Sequence, residues 1–194
     1  MKKVGLLIMM FCAATFAFAQ SGTAQSGTDY VVDKDKSTIN WEAKRVVGGH
    51  VGLISVKEGA VKVDGNAVTG GTFVIDMPLL VCTDNGRVTG HLKNEDFFDV
   101  EKFPTSTFVI TKVENSGPNA TVTGKLTIKG ITKDLTFPAN ITVSGNTLNT
   151  KATVIVNRLE YDIRFRSSRF FADLGDRAIE DEFTLQLDVT ATKK

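Results

Sequence analysis

The chain has 194 residues, 42% of them hydrophobic and 23% charged, with a formal net charge of +1. That balance, with no long run of either sign, excludes the electrostatic footprint of a nucleic-acid-binding protein or of one held on an anionic membrane surface. Two histidines, His50 and His91, and two cysteines, Cys12 and Cys82, do not fall at zinc-ligand spacing, so no metal site is expected.

In chain order, Lys2 and Lys3 form a basic start, Val4 to Phe18 are almost wholly apolar, and Ala17-Phe18-Ala19 offers small residues at an A-x-A site. Residues 1–19 therefore read as a secretory signal peptide cleaved after Ala19. The apolar run is shorter than the ~20 residues of a spanning helix, and no basic stop-transfer flank follows it. A periplasmic protein that does not span the membrane is the expectation. Cleavage takes away Cys12, Lys2 and Lys3, which leaves Cys82 as the one thiol and lowers the formal charge from +1 to −1. An intramolecular disulfide is then excluded. Cys82, between Val81 and Thr83, reads as a small buried hydrophobe, while a homodimer bridged through it stays open. Residues 20–28, QSGTAQSGT, form a flexible tether ahead of a domain over 29–194.

Within the domain the dominant period is two. Ile39, Trp41 and Ala43 alternate with polar residues, as do Phe108 and Ile110, and Val122, Leu126 and Ile128 against Thr121, Thr123, Lys125 and Thr127. The same alternation runs through Leu135, Phe137, Ala139, Ile141 and Val143, through Leu148 to Val156, and through Phe183, Leu185, Leu187, Val189 and Ala191. Each such run is a half-buried antiparallel strand. Asp64-Gly65-Asn66, Asn115 to Asn119, Lys129-Gly130 and Ser144-Gly145-Asn146 mark tight turns between them. About eight strands result, and closing them into a barrel removes the exposed edges.

Two longer connections interrupt the meander. Leu79 to Thr105 is expected to hold a short helix around His91 to Phe97, with Thr89 as its N-cap and Pro104 ending the segment. Arg158 to Glu182, rich in charge and carrying Tyr161, Phe165, Phe170 and Phe171, has the length of a functional loop or lid.

The polar faces mix Thr, Lys, Asp and Gln, which suits bulk water rather than the lipid-facing exterior of an outer-membrane barrel. The interior is therefore apolar. Periodicity alone leaves open whether side chains fill it or whether it holds one small ligand. Nucleophile elbows, dinucleotide fingerprints and phosphate loops are missing from the sequence, and the acidic clusters at Glu95-Asp96-Asp99 and Asp173 to Glu182 read as solvated turn formers. No catalytic residue and no cofactor are expected.

The segment Gly90-His91-Leu92-Lys93-Asn94-Glu95-Asp96-Phe97-Phe98-Asp99-Val100-Glu101-Lys102-Phe103-Pro104 resembles the signature helix-loop of the YceI-like family of polyisoprenoid-binding, lipocalin-like proteins. The likeness continues through Val122 to Lys133, similar to the family's G-x-L-T-I-x-G-x-T-K hairpin, and through Asn157-Arg158, Leu174-Gly175-Asp176 and Asp181-Glu182-Phe183. It covers roughly residues 29 to 191. The resemblance implies an all-β, eight-stranded antiparallel barrel, exported to the periplasm, with a long apolar chain threaded through it and no catalytic residues. It favours a cavity over a filled core. Where relatives often have a short glycine-rich turn after the arginine, this chain has Tyr161 to Phe171.

On this reading an isoprenoid or similar lipid is lined by Ile39, Trp41, Phe73, Ile75, Phe108, Ile110, Leu126, Ile128, Phe137, Leu185 and Leu187. His91, Arg158, Arg164 and Arg166 are the candidates for meeting a polar or phosphorylated head group at the rim. The rival is a filled barrel that binds a protein or glycan, or serves in stress protection, through an exposed aromatic patch at Phe165, Phe170 and Phe171. An enzyme would need a polar group deep inside, but Asn40, Glu42 and Asn157 fall on the outward phase.

Overall fold

Alternating sequences bury one face of each strand, and in the computed structural model, which describes residues 27–114 and 118–194, those faces turn inward on a closed sheet. The expected signal peptide, most of the tether and the first three residues of the turn at Asn115 to Asn119 lie outside the described residues. Thr28, assigned to the tether, is already the first residue of a strand.

The strands are β1 (Thr28–Val32), β2 (Thr38–Arg45), β3 (Gly49–Asp64), β4 (Ala67–Cys82), β5 (Thr105–Glu114), β6 (Ala120–Ile128), β7 (Ile131–Ser144), β8 (Thr147–Asn157) and β9 (Ile179–Lys193). One α-helix among the described residues, α1 (Gly86–Lys93), follows β4. From β3 to β9 each strand pairs antiparallel with the next in sequence, and β2 joins β3 to β9, so eight positions close the barrel. The ninth strand shares one of those positions. β1 pairs with β3 at Tyr30↔Val61 and with β9 at Val32↔Ala191, and β2 continues the same line at Ile39↔Ile54 and Ile39↔Leu187. Between them the chain loops out through a 3₁₀ turn at Lys34–Lys36, and Ser37 stitches the gap by accepting from Thr190 N–H at 3.1 Å.

Turn chemistry sets the register of the hairpins. Lys129 and Gly130 both have positive φ, 50° and 74°, as a two-residue type I′ turn requires. At the opposite end, Tyr30 Oη donates to Gly145 O at 2.9 Å and closes the barrel over a buried layer of Val32, Val61, Val63, Leu148 and Ala191.

Sequence and structure differ in two elements. The helix lies five residues earlier than expected, capped by Asn85, whose side chain accepts from Arg87 N–H at 3.1 Å. Thr89 is inside the helix, and its hydroxyl accepts from Cys82 N–H at 2.9 Å, so its affinity for a backbone donor is spent on β4. β3 and β4, of 16 residues each, are strands that alternation does not mark. Their period is broken by glycines and by register shifts at Leu53/Ser55, Val56/Glu58 and Lys62/Val63, each of which resets the inward phase.

Gly124 illustrates how glycine shapes the interior. It sits on the inward phase of β6 between Val122 and Leu126, and a Cβ there would run into the Phe108 ring and Val109 O. Its absence lets Phe108 lie flat across the neighbouring strand. Gly124→Ala is expected to cost about 1–3 kcal/mol through overpacking, read as a lower urea midpoint at unchanged slope. A variant as stable as the parent would mean that the Phe108 ring is free to move aside.

Candidate functional site

The inward residues surround an apolar cavity of about 130 Å³ in the middle of the barrel. Nine of the eleven expected lining residues meet there: Ile39, Phe73, Ile75, Phe108, Ile110, Leu126, Phe137, Leu185 and Leu187. Ladder pairing explains the convergence. Phe73, Phe108 and Leu126 are successive partners across β4, β5 and β6, Ile39 pairs with Leu187, and the Phe108 and Phe137 rings lie 5.6 Å apart. Ile54, Val56, Val61, Val68, Val122, Leu135, Ile141, Val154 and Val189 complete the wall, with Thr150 its one polar member. Leu135, Ile141, Val154 and Val189 share the phase of the predicted residues on their strands and were legible on that ground. Ile54, Val56, Val61 and Val68 lie on the glycine-rich strands whose phase alternation did not reveal.

Two expected members stand elsewhere. Ile128 is buried in the main core cluster and does not line the central cavity. Trp41 lies one step higher, fixed by its indole N–H donating to Val81 O at 3.1 Å, and lines two further apolar hollows. The first, about 50 Å³, touches the central cavity at Ile54 and is walled by Leu80, Leu92, Phe97, Ile163 and Phe183. The second, about 260 Å³, shares Trp41, Ala43, Leu92, Phe97 and Ile179 with it and ends among Lys44, Arg45, His50, His91 and Arg166. The three hollows form an interrupted apolar line from mid-barrel to a cationic mouth. A larger hollow of about 670 Å³ lies on the outer face, lined by Asn40, Asn140, Lys151, Gln186 and Asp188. It is a surface concavity of the polar face and offers no enclosure.

Both long connections lie at the mouth end. His91 packs edge-on against Phe97 and Phe165, with ring centroids 4.9 and 4.7 Å away, and its Nε2 is 3.0 Å from Asp96 Oδ2. These three rings join α1 to the connection between β8 and β9. Phe165 is thus partly buried against the core, while Phe170 and Phe171 are about half exposed, 50% and 46%.

The four rim candidates separate. Arg166 reaches the mouth, its guanidinium over the Phe165 ring at 5.1 Å. His91 is beside it. Arg164 points outward, paired with Asp162 Oδ1 at 2.7 Å and stacked over Phe170. Arg158 is the correction. It is only 4% exposed, and its donors are taken by the carbonyls of Ile163, Phe165, Ile179 and Glu180 at 2.9–3.0 Å and by Asp181 Oδ1 at 3.4 Å. A planar fork of five N–H groups matches such a set of carbonyls. Arg158 is therefore a clasp that holds the two ends of the connection together, with no donor left for a ligand. Burial draws its guanidinium below the ordinary value, against the opposing pull of Asp181. A residue that sequence reasoning missed is Arg45, whose buried Nε has no partner among the described residues and which lines the mouth hollow.

Cys82 is 5% exposed and donates from Sγ to Asp84 Oδ1 at 2.8 Å, an orientation that does not present it to a second chain. Burial and the hydrogen bond to Asp84 push the thiol up to about 11. The contact with Cys82 and with His50 holds the Asp84 carboxyl below its usual range. His50 stands with Cys82 and Asp84 although it is remote from that pair in sequence. No helix among the described residues is long and apolar enough to cross a membrane.

A family model described as the YceI-like domain matches residues 30–191. A UPF0312 protein of Yersinia enterocolitica is 30% identical over 115 residues, 58% of this chain and 58% of that protein. A UPF0312 protein of Pseudomonas paraeruginosa is 41% identical over 66 residues, 34% of this chain and 35% of its own. The matched stretches thus span between a third and somewhat over half of these curated relatives. Among solved structures, Burkholderia cenocepacia BcnA superposes with a TM-score of 0.68 at 23% identity, covering 83% of this chain and 99% of that one. A polyisoprenoid binding domain from Saccharophagus degradans, implicated in plant cell wall breakdown, gives 0.67 at 12% identity, covering 85% and 98%. At these identities the likeness is one of fold.

Arg158→Lys keeps the charge but cannot reproduce the fork, and is expected to destabilise the protein by about 3 kcal/mol or more. Hydrogen exchange should accelerate across residues 158–181, and protection equal to that of the parent would count against the clasp. Tyr161, buried at the base of the same connection, has its phenol pushed up to about 12 by burial, with Glu160 adding to it. In the unfolded chain that proton leaves near 10, so between about pH 10 and 12 the folded state holds more protons and stability falls as pH rises. Tyr161→Phe should flatten this alkaline arm of a urea-midpoint profile, and an unchanged slope there would show that other groups carry it.

Proposed function

Because the chain belongs to the YceI-like family, we propose that its barrel carries one long apolar molecule, of the polyisoprenoid class, through the periplasm. The observation that carries this reading is the interrupted apolar line from mid-barrel to the mouth, whose central cavity is walled by hydrocarbon except at Thr150 and whose charged residues gather toward the mouth. A dry apolar cavity of this central size accepts about one benzene-sized fragment. A chain of isoprene units would therefore push Trp41, Phe97 and their neighbours apart and fuse the three hollows into one channel. Each buried methylene contributes about 0.8 kcal/mol, so affinity grows with the length of chain enclosed.

At the mouth the ligand's polar end would meet Arg166, His91, Lys44 and Arg45. The unpartnered Nε of Arg45 supplies a donor that a head-group oxygen could satisfy. Nothing in this reading asks for catalysis: the family and its polyisoprenoid-binding neighbour suggest a binding protein. A second reading draws on Phe170 and Phe171, half exposed beside Arg164, as a surface for a protein or glycan partner.

Native mass spectrometry of protein purified from a bacterial periplasm, followed by solvent extraction, tests the carrier. A discrete added mass that extracts as an isoprenoid is expected, and Leu126→Asp, which puts a charge in the cavity wall, should abolish it while Phe170→Asp leaves it unchanged. A bare protein mass that persists after incubation with isoprenoid lipids would sink the proposal and turn attention to the exposed phenylalanines.

A further inference from the structure

The register that closes the barrel brings His50 beside Cys82 and Asp84, a pair remote from it in sequence, and so gathers three metal-ligand side chains. Gly52 pairs with Cys82, and Thr83 N–H donates to Val51 O at 2.9 Å. Continuing this antiparallel ladder by one residue sets His50 across from Asp84. β4 ends at Cys82, and the bend at Thr83 and Asp84 returns the Asp84 carboxylate to the Cys82 thiol. The result is compact: Cys82 Sγ is 2.8 Å from Asp84 Oδ1, and His50 Nδ1 is 3.2 Å from Oδ2 of the same carboxylate. One donor atom from each of the three residues lies within 4.8 Å of the others.

We propose that His50 Nδ1, Cys82 Sγ and an Asp84 carboxylate oxygen form a three-ligand site for a divalent ion of the zinc class at the barrel mouth. The donor set selects the ion. Zinc accepts nitrogen, sulfur and oxygen together, whereas calcium and magnesium want oxygen alone. Metal–ligand bonds of roughly 2.0–2.3 Å in a tetrahedron put the ligand atoms roughly 3.3–3.8 Å apart. The His50 to Asp84 spacing of 3.2 Å is nearly there, and Sγ and Oδ1 at 2.8 Å need to part by less than about 1 Å once the shared proton is gone.

The surroundings hold the ligands in place. Thr89 Oγ1 accepts from Cys82 N–H at 2.9 Å, and Thr83 Oγ1 donates to Val51 O at 3.2 Å, so both strands and α1 are fastened at the site. Access comes from one side. The side chains of His50 and Asp84 are 22% and 41% exposed, while Sγ lies beneath them as the inner ligand. Three protein ligands leave a fourth position for water. His50 and its neighbour Asn85 both line the mouth hollow, so that position opens toward the same end of the barrel as the apolar line. Binding is an exchange without redox change: the ion takes the sulfur lone pair and the thiol proton passes to solvent.

The purified, reduced protein titrated with Zn²⁺ by calorimetry and with Co²⁺ by absorption decides the matter. One ion per chain is expected, with proton release and a thiolate-to-cobalt charge-transfer band. Cys82→Ser should remove that band. His50→Ala and Asp84→Asn should weaken binding by at least the ~10–100-fold that loss of a supporting shell already costs. Thermal melting of each variant separates loss of a ligand from loss of fold, and His50→Ala, at the exposed side, decides if Cys82→Ser does not fold. Absence of saturable binding, a cobalt complex without the thiolate band, or folded variants that bind as the parent does would each overturn the site.

Discussion

Closure of the sheet is the constraint on which the molecule rests. Once β2 pairs with both β3 and β9, every strand has two neighbours, and the inward or outward sense of each residue follows from its place in the ladder. Closure needs two segments at one position. Neither β1 nor β2 is long enough to span β3, so the chain lays them end to end and loops out between, with Ser37 and Thr190 repairing the break. One end is thereby closed by β1 and by Tyr30 against the Gly145 turn, and the two long connections lie at the other.

That other end is built from loops that would be loose on their own. Arg158 gathers carbonyls from both ends of the connection between β8 and β9, and the rings of His91, Phe97 and Phe165 tie that connection to α1. A buried guanidinium with every donor engaged is rigid, while the ring contacts are individually weak. The cover is thus fastened at its base by Arg158 and held at its edge by ring contacts.

Much of this was legible from alternation. Phe108, Ile110, Leu126, Phe137, Leu185 and Leu187 were assigned to the interior from their period, and they share one cavity because adjacent strands with matched phase must converge. Where glycines and bulges reset the phase, in β3 and at the start of β4, the pattern does not show Ile54, Val56, Val61 and Val68 as inward, although Phe73 and Ile75 further along β4 are expected there. Asn85 as a helix cap was within reach of the sequence. Thr89 drew the assignment instead, since both residue types can cap and only the fold shows which backbone donors are free.

The sequence by itself determined the class of the protein: period-two strands, turn residues at their ends and a polar outer phase admit a closed antiparallel barrel with an apolar interior, because side-chain direction on a strand is a local property. Tertiary structure alone decided what stands beside what. It turned Arg158 from a rim cation into a clasp, moved Trp41 from the central cavity to the passage above it, left Arg45 Nε without a partner, and set His50 against Cys82 and Asp84. Each of these depends on register between strands or on how a long connection folds back. Such contacts join residues far apart in sequence, so no local pattern encodes them.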